Sequence, residues 1–310
     1  MRILENHSVK NHSNMKIGGV AKRFIVVENK EELKDIFEKY RNIFLIGNGT
    51  NTLIDEGDLD ITFVSLKELN KVEELDEGIV RVEAGLDFNK LIAFMNRNNY
   101  SGLENLAGIP GSVGGLVYMN GGAYGSEIFD CIKEVEIFDE NHQIRTLKKE
   151  DIKFSYRSTE IQDKKWVIIS ATFEFKRGFD LQKVIDIQAL RESKQPLDKP
   201  NLGSTFKNPE GDFSARLISE AGLKGGNCHL WNLKNFRHFL RRLPFRFLFS
   251  ASGLQNLLQG FGRRVWRALQ KRRQFSVFYL PEFFEFYNQN SGRKEKKLLL
   301  PRLTVPYLLY

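Results

Sequence analysis

Two glycine-rich stretches contain the residue types that could bind an anion or a flat ring. The first is GNGTN at Gly47–Asn51, and the second runs from Gly108 to Gly125 as GIPGSVGGLVYMNGGAYG. Glycine lets backbone N–H groups converge on an anion and lets the chain approach a ring closely. Short polar side chains that could bond to phosphate or amide edges lie in the same stretches: Thr50, Asn51, Ser112 and Asn120. The alternative for each stretch is a set of tight turns between strands.

Neither stretch matches the two standard nucleotide-binding loops. A dinucleotide-binding G-x-G-x-x-G loop opens a helix, but GNGTNT has no third glycine at that spacing, and no amphipathic helix follows it. A P-loop would need Gly-Lys-Ser/Thr, which neither stretch contains. If this protein binds a nucleotide, it does so through a different loop.

Six motifs occur in an order that resembles one enzyme family. They are IGG at 17–19, GNGTN at 47–51, GIPGSVGG at 108–115, NGGAYG at 120–125, YRST at 156–159 and NLGSTFKNP at 201–209. Over about residues 5–225 the chain resembles the short form of the UDP-N-acetylenolpyruvoylglucosamine reductases, which use FAD and NADPH in peptidoglycan precursor synthesis. The resemblance implies a two-subdomain FAD-binding fold of the vanillyl-alcohol-oxidase (PCMH) type, followed by a substrate domain.

The order of elements predicts an α+β fold, since strands and helices mix without a regular βαβ rhythm. Amphipathic helices are expected around 30–40, 87–101 and 180–195, and a hairpin is expected to turn at Asp139–His142. With the resemblance, we expect a first FAD-binding subdomain at 1–65, a second at 66–178, and the start of the substrate domain at 179–225.

The resemblance also implies which residues contact the cofactor. The FAD diphosphate would be held by Gly47, Asn48, Gly49, Thr50 and Asn51. The flavin would be lined by Gly111, Ser112, Gly114 and Gly115. We expect no metal ion.

Two residues match the catalytic positions of the family. Arg157 matches the arginine that stabilises the substrate carboxylate, and a planar guanidinium suits that group. Ser204 matches the serine that gives a proton to C2 of the enolpyruvyl group. The alternatives are a surface arginine at a strand end and a turn serine after Gly203. Contacts to the UDP-sugar substrate are expected from Lys194, Lys207 and Asn208.

The last part of the chain departs from the family pattern. Residues 225–310 contain 16 Lys and Arg against 3 Asp and Glu, whereas the rest of the chain has more acidic than basic residues. No motif corresponding to the family's third catalytic residue, a glutamate, is found there. Three interpretations remain: a basic domain, a divergent substrate domain, and a reading-frame shift near codon 226, which is favoured. In the last case the substrate domain would be truncated, and residues 226–310 would be a tail unrelated to the family.

Composition excludes several classes of protein. The longest apolar run is too short for a transmembrane helix, and the N-terminus lacks the apolar segment of a secretory signal. Two distant cysteines favour a reducing, cytoplasmic location. The acidic body suggests no specific nucleic-acid partner, and the oligomeric state stays open. Two other functions compete with the reductase: a flavin-binding protein without activity, and a flavin oxidase of the same fold.

Overall fold

The computed structural model describes residues 1–195 and 197–220, and the predictions for residues 226–310 lie outside this range. A first sheet contains β1 (Arg2–Ser8), β2 (Val20–Val26), β3 (Ile43–Ile46) and β4 (Asp58–Ser65). Its spatial order is β1-β2-β4-β3. Strand β1 pairs antiparallel with β2, whereas β2 and β3 both run parallel to β4. The carboxyl ends of three strands therefore lie at the same edge of this sheet.

A second sheet follows, and all of its neighbouring strands are antiparallel. Between residues 72 and 177 the strands are β5 (Val72–Asp76), β6 (Ile79–Glu83), β7 (Tyr100–Ser101), β8 (Gly122–Ala123), β9 (Ser126–Glu127), β10 (Ile132–Phe138), β11 (Ile144–Lys148), β12 (Phe154–Ser155), β13 (Ser158–Thr159), β14 (Val167–Glu174) and β15 (Lys176–Arg177). The main sheet has the order β11-β10-β14-β6-β5, and the others form two-stranded pairs. The hairpin between β10 and β11 confirms the predicted turn at Asp139–His142.

Residues 1–195 and 197–220 contain six α-helices. They are α1 (Glu32–Lys39), α2 (Phe88–Arg97), α3 (Val113–Tyr118), α4 (Glu160–Lys164), α5 (Leu181–Lys194) and α6 (Ser214–Glu220). Leu33 and Ile36 of α1 are buried, as its apolar spacing predicts. Asp87 begins α2 by accepting a hydrogen bond from the backbone N–H of Asn89. The mixed composition confirms the α+β class.

The described residues fall into two compact units. The first comprises Met1–Gly203, and the second begins at Ser204 and includes α6. The core of the first sheet is aromatic, with Phe24, Phe44 and Phe63 buried and their rings in contact. No helix within residues 1–195 and 197–220 is both long and apolar enough to cross a lipid bilayer.

Candidate functional site

The two glycine-rich stretches lie against each other in the fold. Thr50 in the first stretch donates a hydrogen bond from Oγ1 to the carbonyl oxygen of Pro110 in the second, at 3.1 Å. Asn48 donates from Nδ2 to Oδ2 of Asp87 at 2.9 Å, and Asp87 forms an isolated β-bridge with Ser112. Stretches about 60 residues apart in sequence thus form one surface.

A narrow cleft opens at this surface, where the two sheets meet. It is lined by Gly47, Asn48, Leu66, Lys67, Ala84, Gly85 and Ser112. Residues 47–48 follow β3, residues 66–67 follow β4, and residues 84–85 follow β6. Strands β3 and β4 are parallel, so two of these segments leave the same sheet edge. Ligands of open α/β sheets bind outside the carboxyl ends of parallel strands, so this cleft is the candidate ligand site.

Gly49 has a conformation that suits only glycine. Its φ is +63°, and a Cβ there would overlap the backbone carbonyl oxygen of His12. The carbonyl oxygen of Gly49 accepts a hydrogen bond from the N–H of Asn14 at 2.9 Å. The backbone N–H groups of residues 48–51 donate no hydrogen bond to another described residue. A loop with unused N–H donors is the arrangement that binds a diphosphate.

The predicted flavin-lining residues are all buried, and two of them have local packing roles. Gly114 in α3 lies against β6, because a Cβ there would approach the Cβ of Ala84 to 2.7 Å. Ser112 is the N-cap of α3, and its Oγ accepts a hydrogen bond from the N–H of Gly115 at 3.3 Å. Gly111 has φ +150° and lies close to Leu116 and to Oγ1 of Thr50. Close packing therefore accounts for part of the glycine content of this segment.

Arg157 lies near the opposite end of α3 from Ser112. Its guanidinium donates hydrogen bonds to the carbonyl oxygens of Asn120, at 3.1 Å, and of Gly122. The guanidinium carbon stands 4.8 Å from the ring centroid of Tyr156. The side chain is 23% exposed. Two backbone carbonyl oxygens and one aromatic ring fix this cation, whereas an ordinary surface arginine at a strand end would be free.

The chain around Arg157 is joined to the end of α3. Thr159 donates from Oγ1 to the carbonyl oxygen of Tyr118 at 2.6 Å. Asn120 donates from Nδ2 to the carbonyl oxygen of Ser155 at 3.0 Å. The YRST and NGGAYG motifs, which the sequence separates by about 30 residues, are therefore neighbours. A six-residue helix spans about 9 Å, so α3 links the cleft to the Arg157 region.

The other predicted site residues are exposed or belong to the second unit. Lys194 is an exposed residue in the last turn of α5. Ser204 is exposed and follows Gly203, which has φ +68°. Oδ1 of Asn208 accepts the N–H of Ser214 at 3.1 Å, and the carbonyl oxygen of Lys207 accepts a hydrogen bond from Oγ of Ser214 at 2.6 Å. The backbone and side chain of this segment thus order the start of α6.

Two histidines form a pair beside the first glycine-rich stretch. The Nε2 atoms of His7 and His12 are 3.0 Å apart, and the ring of His12 packs on Phe24 with centroids 4.0 Å apart. Burial, together with the nearby charge of His7, lowers the pKa of His12 to about 4. His12 is therefore neutral at pH 7, and its backbone carbonyl is the one that contacts Gly49.

Three charged residues of these regions were not predicted from the sequence. Lys67 lines the cleft, Glu127 lies 3.9 Å from the guanidinium of Arg157, and Arg191 is buried beside Gly108. Burial lowers the pKa of Arg191, and its guanidinium has no carboxylate partner among the described residues. None of the three belongs to one of the six motifs, so only the fold connects it to a glycine-rich stretch.

Comparisons with known proteins agree with this geometry. A sequence profile of the FAD binding domain matches residues 21–148, and a profile of the UDP-N-acetylenolpyruvoylglucosamine reductase C-terminal domain matches residues 195–233. The chain is 59% identical over 235 residues to the UDP-N-acetylenolpyruvoylglucosamine reductase of Fusobacterium nucleatum, covering 74% of this chain and 84% of that protein. It is 38% identical over 237 residues to the enzyme of that name from Lachnoclostridium phytofermentans, covering 72% and 76%.

A solved structure shows the same fold. The crystal structure of the UDP-N-acetylenolpyruvylglucosamine reductase from Thermus caldophilus superimposes with a TM-score of 0.62 at 27% identity. The match covers 78% of this chain and 93% of that one.

Proposed function

The chain belongs to the UDP-N-acetylenolpyruvoylglucosamine reductase family, and on that premise we propose that it uses NADPH to reduce the enolpyruvyl ether of UDP-N-acetylenolpyruvoylglucosamine to UDP-N-acetylmuramate. The observation that carries this proposal is the fixed guanidinium of Arg157 at the end of the helix that begins beside the cleft.

The cleft has features that suit FAD, for which the chain carries a binding domain. Gly49 has a left-handed backbone conformation and no room for a side chain. The backbone N–H groups of residues 48–51 donate no hydrogen bond to another described residue. Lys67 adds a cation at the cleft. These residues would hold the diphosphate, with residues 111–115 beside the ring. When bound, FAD supplies the hydride chemistry that protein side chains lack.

Arg157 would stabilise the negative charge that develops as the enolpyruvyl group is reduced. That charge spreads onto the substrate carboxylate, and a guanidinium offers two parallel donors to such a group. The hydrogen bonds to Asn120 and Gly122 hold the guanidinium in place before substrate arrives. Preorganised donors of this kind need no reorganisation during the reaction.

Ser204 would donate the proton that C2 of the substrate needs. A hydroxyl is a weak acid, so the transfer requires a neighbouring group that stabilises the alkoxide or resupplies the proton. Lys194, Lys207 and Asn208 would contact the UDP-sugar. These four roles come from the family motifs.

The alternative is a flavin-binding protein with impaired activity. It is motivated by the missing counterpart of the family's catalytic glutamate in residues 226–310, a stretch outside the described residues. NADPH oxidation that depends on UDP-N-acetylenolpyruvoylglucosamine separates the two functions. Substrate-dependent oxidation with formation of UDP-N-acetylmuramate supports the reductase. Bound FAD with no substrate-dependent oxidation would support the impaired protein.

A further inference from the structure

Two chain segments that meet at Arg157 contain non-glycine residues with a left-handed backbone. Asn120 has φ +46°, Tyr124 has φ +50°, and Arg157 itself has φ +56°. None is glycine; Asn tolerates the left-handed region, whereas that region is unfavourable for Tyr124 and Arg157. Strain of this kind persists where the surrounding contacts impose it, and it concentrates at functional sites. Asn120 and Glu127 make the side-chain contacts that hold these segments.

Asn120 makes these contacts from a fully buried position. Its Nδ2 donates to Oε2 of Glu127 and to the carbonyl oxygen of Ser155. Its Oδ1 is buried and has no hydrogen-bond partner among the described residues. Turning the amide over would place Oδ1 against a carboxylate and a carbonyl oxygen, so the observed orientation is the favourable one. The Asn120 side chain thus connects its own segment to Glu127 and to Ser155, although its Oδ1 has no hydrogen-bond partner among the described residues.

Glu127 is the second part of this arrangement. Its side chain accepts a hydrogen bond from the N–H of Asp130, and Asp130 accepts one from the N–H of Glu127 at 2.8 Å, forming a capping box. One carboxylate thus bonds to a helical turn and to Asn120, with the guanidinium of Arg157 3.9 Å away. That distance is too long for a direct hydrogen bond. The hydrogen bonds of the Arg157 guanidinium therefore go to the backbone carbonyl oxygens of Asn120 and Gly122.

We propose that Asn120 and Glu127 are positioning residues for Arg157. Together they fix the turn whose carbonyl oxygens, at residues 120 and 122, orient the guanidinium. The carboxylate of Glu127 accepts the hydrogen bond of Asn120 and lies 3.9 Å from the guanidinium of Arg157, within ion-pair distance but without a hydrogen bond to it. The catalytic part of this inference rests on the proposed function, in which Arg157 meets the substrate carboxylate.

Variants of the full-length protein with FAD bound can test this arrangement. Asn120→Gly keeps a left-handed backbone accessible and removes the amide. Glu127→Ala removes the acceptor, whereas Glu127→Gln keeps an acceptor for Asn120. Asp130→Ala is the matched control, because it breaks the other half of the capping box and leaves the Glu127 side chain in place. Stopped-flow measurement gives the rate of FAD reduction by NADPH and the rate of substrate reduction separately.

We expect Asn120→Gly and Glu127→Ala to slow substrate reduction by roughly tenfold to 100-fold, since a small misplacement of a catalytic group has that effect. FAD reduction by NADPH should stay close to wild type in both. Glu127→Gln should recover most of the lost rate, and Asp130→Ala should match wild type. Equal slowing of both half-reactions, or an unchanged rate of substrate reduction, would overturn the inference.

A second readout does not depend on turnover. Crystal structures of the variants should show the guanidinium displaced from the carbonyl oxygens in Asn120→Gly and retained in Glu127→Gln. A guanidinium that stays in place in Asn120→Gly contradicts the positioning role, even if the wild-type protein proves inactive. An inactive wild-type protein with a displaced guanidinium in Asn120→Gly would instead refute the reductase proposal and support the positioning role.

Discussion

The N–H of Gly114 donates a hydrogen bond to the carbonyl oxygen of Ala84 at 2.8 Å, and a Cβ at Gly114 would come within 2.7 Å of the Cβ of Ala84. This pair joins α3 to the end of β6, at the edge of the cleft. Glycine is needed here for closeness, because no positive φ is involved.

Gly114→Ala should therefore destabilise the protein. The intrinsic helix propensity favours Ala over Gly by about 1 kcal/mol, but overpacking costs about 1–3 kcal/mol, so we expect a net loss of up to about 2 kcal/mol. Chemical denaturation measures the free energy of unfolding. Gly57→Ala is the control, since nothing lies within 4 Å of a Cβ there. If the two variants have the same free energy of unfolding, α3 can move away from the end of β6 without a loss of stability.

Arg157→Lys should slow the reaction even though it keeps the charge. An ammonium cannot bond to two carbonyl oxygens and also present a planar pair of donors to a carboxylate. Loss of such a donor typically costs about 10²–10³ in rate, so we expect kcat to fall within that range. Steady-state kinetics and FAD titration check this, and FAD affinity should be unchanged. A kcat equal to wild type would remove Arg157 from the reacting site.

Ser204→Ala should separate the two half-reactions. Proton donation to C2 is needed only when substrate is reduced, so flavin reduction by NADPH should stay nearly intact while reoxidation by the substrate stalls. Stopped-flow absorbance of the flavin measures both steps. Parallel slowing of the two steps would assign Ser204 a structural role.

Stability should fall in acid because of His12. Its pKa is about 4 in the folded protein, below the ordinary value of 6.5, so between these values the unfolded chain binds a proton that the folded chain does not. The free energy of unfolding should decrease as pH falls from 6.5 to 4. His12→Gln should flatten this slope, whatever its effect on overall stability. His142→Asn is the control, as Asn also tolerates the left-handed backbone at that turn. An unaltered slope in His12→Gln would contradict this assignment.

Acid should release the flavin from the protein, because Cys131, which follows the second glycine-rich stretch in the sequence, is poorly suited to form a covalent link. Cys131 is buried, and burial raises the pKa of its thiol to about 11, so little thiolate is present at pH 7. Flavin that stays with the acid-precipitated protein would contradict this expectation. The low reactivity of the thiol can be checked separately: in a Cys228→Ser background, a thiol reagent should label Cys131 only after unfolding.

Local sequence patterns predicted the elements whose apolar residues repeat clearly, such as α1 with Leu33 and Ile36, and the turn after β10. Strand β1 was not predicted, since its residues are mostly exposed and β2 is its one partner among the described strands. A strand of this kind has no apolar run to identify it. The two glycine-rich stretches were identified, but their contact through Thr50 depends on how the sheets pack.

The residues around the candidate site were harder to predict. Lys67 reaches the cleft only because β3 and β4 run parallel. Glu127 meets Arg157 only because Arg157, in the turn between β12 and β13, lies beside the base of the β8–β9 hairpin, where Gly122 pairs with Glu127. Single charged side chains carry no periodic signal, so their roles emerge only from long-range topology. The family motifs included Arg157 and Asn120 but not Glu127.

Asp87 fixes both glycine-rich loops before any ligand arrives. Its carboxylate begins α2 and accepts a hydrogen bond from the amide of Asn48, and its backbone forms a β-bridge with Ser112, all within the chain. The loops therefore lose their conformational entropy during folding. Cofactor capture would then be a single bimolecular step, with a rate that rises linearly with FAD concentration and no slow isomerisation after it.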